Sequence, residues 1–235
     1  MRISGHCLIK DEEATIEYAI RSVINFLDEI CVWIDPTTTD RTEEIVRSLL
    51  DVYPDKIRII KFKRPMKNGL FNKPMARTHL YQHQEGDVLF KLDGDEVYSY
   101  STIRHIARKI YSSKLKIEAW NWYNRYFISK TRFLDHRSMT RAIRMTPDLH
   151  WLPTKIHDFP ELEDIDWIRD VPAKSKGPIN AGGWTSKVLH IWFFHFPYRS
   201  SPIYNIVEGV YDGPYPEVFP ADFDYSVLFP KVVVP

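Results

Sequence analysis

The sequence lacks any uninterrupted apolar run near the ~20 residues that a membrane-spanning helix needs, so no membrane span is expected. Its opening, MRISGHCLIKDEE, has no long apolar h-region, so no secretory signal is expected there. Cysteine is scarce: Cys7 and Cys31 both sit in apolar runs. Two thiols so placed exclude a disulfide framework or a zinc site and read as small core residues of a protein from a reducing compartment. Charge excess is absent as well, with 32 Lys and Arg against 31 Asp and Glu and a net charge of +1. That argues against a nucleic-acid coat and an acidic disordered tail, and no nucleic-acid partner is expected. No internal repeat or low-complexity tract occurs. No G-x-G-x-x-G follows the first apolar run, which counts against a dinucleotide dehydrogenase. The segment there, LIKDEEATIE, is acidic and Gly-free, which counts against a sugar-phosphate nucleotidyltransferase with its Gly- and basic-rich phosphate loop. The expected location is cytoplasmic, with peripheral contact to a membrane left open.

What is present is a regular alternation. RISGHCLI (2–9) reads as a strand, and Ile16, Ile20, Val23 and Leu27 recur as one face of a helix. EICVWID (29–35) is nearly all apolar, as expected of a strand covered on both faces. Asp40 with Glu43 marks a helix start, and Ile45, Val46, Leu49 and Leu50 supply its buried stripe. KIRIIKF (56–62) is a third strand, Pro74 opens a helix over 74–84, and DVLFKLD (87–93) is a fourth strand. Strand–helix alternation with short connections predicts an α/β fold with a Rossmann-like, mostly parallel sheet and flanking helices. Ligands then bind outside the carboxyl ends of the strands, where Asp35, Asp93 and Asp95 would open onto one crevice.

The second half is irregular and rich in aromatics. Residues 101–111 read as a helix, and 117–128 and 188–196 as strands. DVPAKSKGPINAGGWTS (170–186) has the composition of a mobile loop, and residues 197–235 read as a Pro-rich wrap. Trp120, Trp122, Tyr123, Tyr126, Trp151, Trp184 and Trp192 are mostly core, with one or two expected to form a binding platform.

The stretch LFKLDGDEV carries two carboxylates about a glycine at the end of a buried strand. Carboxylates are hard oxygen donors suited to Mg²⁺ or Mn²⁺; a turn acid capping the helix near Ser101 is the plainer reading. Four ordered segments then agree with one pattern: LIKDEEATIEYAIRSV, DEICVWIDPTTTDRTEEIV, KPMARTHL and GDVLFKLDGDEV. Over about residues 3–98 the chain resembles glycosyltransferase family 2, the inverting nucleotide-sugar enzymes of GT-A fold.

The resemblance implies metal-dependent transfer of a sugar from a nucleotide diphosphate sugar, with a UDP-sugar favoured, to an acceptor hydroxyl with inversion. The acceptor would be a glycan, a lipid-linked molecule or a protein. A catalytically silent nucleotide-sugar or glycan binder is the alternative. Residues 1–98 would be the nucleotide-sugar-binding half, and 99–235 the acceptor-binding half and C-terminal wrap of the same domain. By the same resemblance Asp35 reads the base, and Glu12 or Glu13 touches the ribose. Arg77 holds the diphosphate, Asp93 faces the ribose or a metal-bound water, and Asp95 ligates the cation. The sequence departs from the pattern at Pro36, Thr37 and Arg41. Glu96 is a weaker candidate, equally suited to capping the next helix. RAIRMTPDLHWLPTKIHDFPEL (141–162) resembles a family segment ending in His-Glu, which makes Asp158 the candidate base, with Asp148, Glu161 and Glu163 as competitors. A histidine in VLHIWFFHF would complete the metal site. His190 and His195 lie on opposite faces of a regular strand, and His190 is preferred. Lys174 and Lys176 would assist from the 170–186 loop.

Overall fold

The computed structural model describes residues 1–113, 118–127, 129–135, 139–153, 170–174, 177–178, 186–195 and 207–228. The first half runs β1 (Ile3–Ile9), α1 (Ile16–Val23), β2 (Glu29–Ile34), α2 (Thr42–Val52), β3 (Ile57–Ile59), the short β4 (Met66–Lys67) and β5 (Leu70–Phe71), α3 (Lys73–Tyr81), and β6 (Val88–Asp93). Then come β7 (Glu96–Val97), α4 (Tyr100–Tyr111), β8 (Ala119–Phe127), β9 (Arg132–Asp135), β10 (Met139–Arg144) and β11 (His150–Pro153). The remaining strands are β12 (Asp170–Lys174), β13 (Gly177–Pro178), β14 (Ser186–His195) and β15 (Val207–Val210).

The fold is mixed α/β with flanking helices. Strands β6, β1, β2 and β3 lie side by side and parallel, as the alternation predicts. Past β6 the same sheet continues antiparallel through β10, β8, β9 and β15. Strand β14 runs parallel to β8 and also pairs antiparallel with β7.

Local chemistry accounts for the elements. Helix α1 buries Ile16, Ala19, Ile20 and Val23 on one side, and they join Ile3, Val32, Val88 and Phe90 in the main core. Asn72 caps α3 by accepting the Met75 N–H at 3.2 Å, and Ser99 caps α4 by accepting that of Thr102 at 3.3 Å. Asp40 accepts the Thr42 N–H at 2.9 Å, one residue ahead of the N-cap position at Arg41. The expected third strand shortens to three residues because the chain leaves the sheet edge to form the β4–β5 hairpin. Asn68 and Gly69 both have positive φ, 52° and 80°, as a two-residue hairpin turn of this twist requires.

One expectation from composition is corrected. Residues 170–186 are not loop throughout, since β12 pairs with β11 and β13 with β12 in a three-stranded antiparallel sheet. Backbone pairing there overrides a Pro- and Gly-rich composition. Among the described residues no helix is long and apolar enough to cross a membrane.

The amino-terminal end of the sheet is fastened by one buried carboxylate. Glu29 accepts from the Ser4 hydroxyl at 2.5 Å, the Glu85 N–H at 2.7 Å and Arg58 at 2.9 Å. Burial pushes its carboxyl up, but the hydrogen bonds from Ser4, Glu85 and Arg58 outweigh that and hold it below its ordinary value of 4.5. A lowered folded value means stability that is present above pH 4.5 and is lost as pH falls through the folded value. Glu29→Gln is therefore expected to lower stability near neutrality and to flatten the acid limb of a stability–pH curve, measured by urea unfolding from neutral to acid pH. An unchanged acid limb would mean that other carboxylates set it.

Candidate active site

Three strands deliver the acids. In the β1–β6 register Leu8 faces Asp93, and in the β1–β2 register Ile9 faces Ile34. Asp35 follows directly, its N–H bonded to the Ile9 carbonyl at 2.9 Å. Asp35 and Asp93 thus flank the carboxyl end of β1, two strand spacings or about 10 Å apart.

The loops after β1 and β2 are stitched together above this end. The Glu12 N–H donates to Thr42 Oγ1 at 2.7 Å, and the Glu13 N–H to Asp40 Oδ2 at 3.0 Å. The Thr39 N–H donates to Asp11 Oδ1 at 2.7 Å, and Asp11 itself takes the left-handed conformation at φ 50°. Glu13 accepts from the Arg41 N–H at 3.2 Å, so Glu13 ties the two loops. Glu12 instead leans on the turn between β6 and β7. A Cβ added at Gly94 would meet Glu12 Cγ and Ile9 Cγ2 at 3.0 Å each, so glycine is what allows that close approach.

Asp35 is buried at 2% exposure, and both of its oxygens accept hydrogen bonds. Its Oδ1 accepts the N–H and the hydroxyl of Thr37 at 2.9 Å each, and its Oδ2 accepts Arg64 Nε at 2.9 Å. Arg64 also lies over the Phe71 ring at 4.8 Å, which joins this end of the crevice to the hairpin. Nothing in the sequence pattern singled out Arg64, since it reaches Asp35 only through the turn of the chain after β3.

The turn Asp93-Gly94-Asp95 rests on buried arginines. Arg77 Nη2 donates to Asp93 Oδ1 at 2.8 Å and Arg141 Nη1 to Asp93 Oδ2 at 2.9 Å, while Lys91 Nζ lies 3.6 Å from that Oδ2. The Arg77 and Arg141 side chains are 0% and 1% exposed. Arg141 also pairs through Nη2 with Glu96, which is buried. Burial alone would raise the Asp93 carboxyl, but Lys91, Arg77, Arg141 and Lys73 outweigh it and hold the group well below the usual carboxylate range. Glu96 goes the other way: burial pushes it well up, Arg141 opposes, and Asp93 and Asp95 add to the rise. Glu96 does not cap α4, a role taken by Ser99; it braces the turn through Arg141 and through the Asp93 N–H at 3.3 Å.

Asp95 lies half-buried in the turn itself. A carboxylate in such a turn fits a hard divalent ion that takes one or two protein carboxylates and draws its other ligands from phosphate and water. Among the described residues no three Asp, Glu, His or Cys side chains converge as a ready-made metal cage. With both Asp93 oxygens on guanidinium groups, Asp95 is the better placed of the two for such an ion.

Other candidates fall differently. Asp158, Glu161, Glu163 and Lys176 lie outside the described residues. His190 lies in β14 where the pairing with β8 is interrupted between Val188 and Trp192, and His195 pairs with Glu96; their side chains, like that of Lys174, are outside the description. Asp148 is exposed and accepts the Thr146 hydroxyl at 2.9 Å. Trp120 and Trp122 are core, and Trp151 is buried and stacked on His6 at 5.1 Å, so none of these three is an acceptor platform. Tyr123 is half-buried, and the side chains of Tyr126, Trp184 and Trp192 lie outside the described residues.

A family model described as glycosyl transferase family 2 matches residues 8–161, more than half of the chain. No curated protein matches it. Similar solved structures include Staphylococcus aureus TarS, at 16% identity and a TM-score of 0.42, over 55% of this chain and 37% of that one. The mannosyltransferase PcManGT from Pyrobaculum calidifontis, solved with GDP-Man and Mn²⁺, aligns at 19% identity and a TM-score of 0.41, over 51% of this chain and 34% of that one. Glucosyl-3-phosphoglycerate synthase from Mycobacterium tuberculosis, solved with Mn²⁺ and UDP-glucose, aligns at 18% identity and a TM-score of 0.39, over 53% and 44%. The chain thus spans less than half the length of each of these structures.

Proposed function

Because the chain belongs to glycosyl transferase family 2, we propose that it is a GT-A enzyme that transfers a sugar from a nucleotide diphosphate sugar to an acceptor hydroxyl, with inversion and with the help of a divalent cation. The observation that carries this reading is the gathering of Asp35, Glu12, Asp93 and Asp95 about the carboxyl end of β1, inside the segment that matches the family. Residues 1–98 form the donor half and 99–235 the acceptor half.

Asp35 and Arg64 take the base end. A carboxylate accepts an imide N–H and a guanidinium donates to a ring carbonyl, a pairing that suits uracil and favours a UDP-sugar. Glu12 lies beside the ribose. Asp93 faces the same sugar, held anionic and oriented by Arg77 and Arg141. Arg77 thus serves the diphosphate end through Asp93 as well as through its charge. Asp95 would hold Mn²⁺ or Mg²⁺, with His190 as the further ligand. Such an ion, when bound, neutralises charge on the departing diphosphate. Asp158 takes the proton from the acceptor hydroxyl as its oxygen attacks the anomeric carbon from the face opposite the diphosphate; the new glycosidic bond forms as the bond to the diphosphate breaks.

A thermal-shift panel of nucleoside diphosphates, each with and without Mn²⁺, tests the donor class. One nucleotide is expected to stabilise the protein in a cation-dependent way, by ~3 kcal/mol at a hundredfold excess over its dissociation constant. The anomeric configuration of the product, read by NMR, tests inversion. No stabilisation by any nucleotide would overturn the reading, and binding without transfer across an acceptor panel would make the protein a nucleotide-sugar binder.

A further inference from the structure

Between Asp55 and Glu85 the chain holds no acidic residue, while Lys or Arg stands at eight positions. In a protein of net charge +1 this is a segregated block rather than a share of an even surface. Five of the eight are engaged, Lys73 through its charge beside Asp93. Arg58, Arg64 and Arg77 pair with acids, and Lys56 caps the Ile24 and Leu27 carbonyls. Lys61, Lys63 and Lys67 are exposed and have no acidic partner among the described residues.

These lysines surround an apolar tip. Met66 is 49% and Leu70 40% exposed, and Met75 at the start of α3 is 44% exposed. Residues 66–70 are exposed without a break. The tip does not lack a foundation. Phe62 and Phe71 stack on Trp33 at 5.0 and 5.6 Å, Trp33 Nε1 donates to the Phe62 carbonyl, and the Asn72 N–H closes on Pro65. A firmly rooted hairpin therefore carries methionine, leucine and lysine side chains outward together.

We infer that this hairpin, with Lys61 and Lys63 at its base, docks the protein on an anionic lipid bilayer. Each lysine near such a surface gains from its negative potential, and apolar side chains among them gain by entering the headgroup–acyl boundary. A soluble polyanion would reward the lysines alone and leave Met66 and Leu70 in water, which is why the bilayer is the better partner. The root of the hairpin holds Arg64 against Asp35, so docking would set the carboxyl end of β1 at the membrane surface, where a lipid-linked acceptor is reached. The docking itself does not depend on the glycosyl-transfer reading.

The test is co-sedimentation of the full chain with vesicles mixing phosphatidylglycerol and phosphatidylcholine, against vesicles of phosphatidylcholine alone. Binding is expected only to the anionic vesicles, weakening as salt rises. Lys61→Gln/Lys63→Gln/Lys67→Gln should lower partitioning about a hundredfold. Met66→Ser/Leu70→Ser should lower it about tenfold at unchanged charge. Thermal melts of both variants, expected to match the parent, keep a folding defect from passing as lost docking. Failure to bind anionic vesicles at low salt would overturn the inference. So would binding that neither folded variant weakens. Loss on the lysine changes alone, with equal binding to heparin, would replace the bilayer with a soluble polyanion.

Discussion

Asp95→Asn is expected to cut cation-dependent donor turnover by about a thousandfold, the loss associated with removing a principal electrostatic contact to a developing charge. Thermal stability should stay close to that of the parent, because Asp95 lies in a turn and is half exposed, with solvent available to its amide replacement. The neighbouring acid behaves differently. Asp93→Asn would leave the buried Arg77 and Arg141 facing a neutral amide, so its activity loss would come with a fall in stability. The pair of variants separates holding a cation from holding the site together. Donor turnover measured over a Mn²⁺ titration, beside thermal melts, reads both quantities. If Asp95→Asn retained Mn²⁺-dependent turnover, the ion would be held by other residues.

The second large effect concerns Arg141, which bridges Asp93 and Glu96 from β10. Arg141→Met would remove the cation from between two acids, one fully buried and the other a fifth exposed. Breaking a buried ion pair from one side costs about 3–5 kcal/mol, because the remaining charge has lost its compensation. In a chain of this size that is a fall of about 10 °C in Tm. Asp93 keeps Arg77 and Lys91, so the larger share of the cost falls on Glu96. Adding Glu96→Gln to Arg141→Met should then recover part of the lost stability, since an amide needs neither a counter-ion nor the proton that the buried Glu96 carboxyl, already pushed up, would take on once Arg141 is gone. Melting curves of the two single variants and the double variant close the cycle. Full additivity would show that Arg141 and Glu96 are not coupled.

The parallel half of the fold was legible because its signals are local. Val88 to Asp93 is an apolar run ending in acid, Ile16 to Val23 has helical spacing, and Pro74 stands in a first turn. Acids at the ends of the second and fourth expected strands could be placed together on topology alone, and Asp35 and Asp93 do flank β1. Arg141 and Arg64 were not legible as site residues. Arg141 opens the 141–162 segment, whose resemblance pointed only to its acids, and Arg64 lies in a stretch with no local pattern; in both cases the partner is chosen by strand pairing or by the path of a loop. Arg77 was legible as a candidate, but its burial against Asp93 was not. The β4–β5 hairpin did have a signal, Asn68-Gly69 between Met66-Lys67 and Leu70-Phe71, that reading the segment as one strand and a connection passed over. Residues 170–174 misled through composition, since a strand in a small antiparallel sheet can hold proline near an edge.

The pairing of β14 with β7 bears on how the protein comes to exist. His195 meets Glu96, and Phe194 meets Val97, about a hundred positions away along the chain. The strand that follows Asp95 thus finds its partner only after about a hundred further residues have left the ribosome. The parallel strands, whose contacts close smaller loops, can assemble well before that. Synthesis therefore passes through a period in which the Asp35 end of the crevice has its scaffold while the strand after the Asp93-Gly94-Asp95 turn is still unpaired. The two acids about β1 thus lie in a scaffold that forms early, while the strand beside them is locked only when β14 arrives.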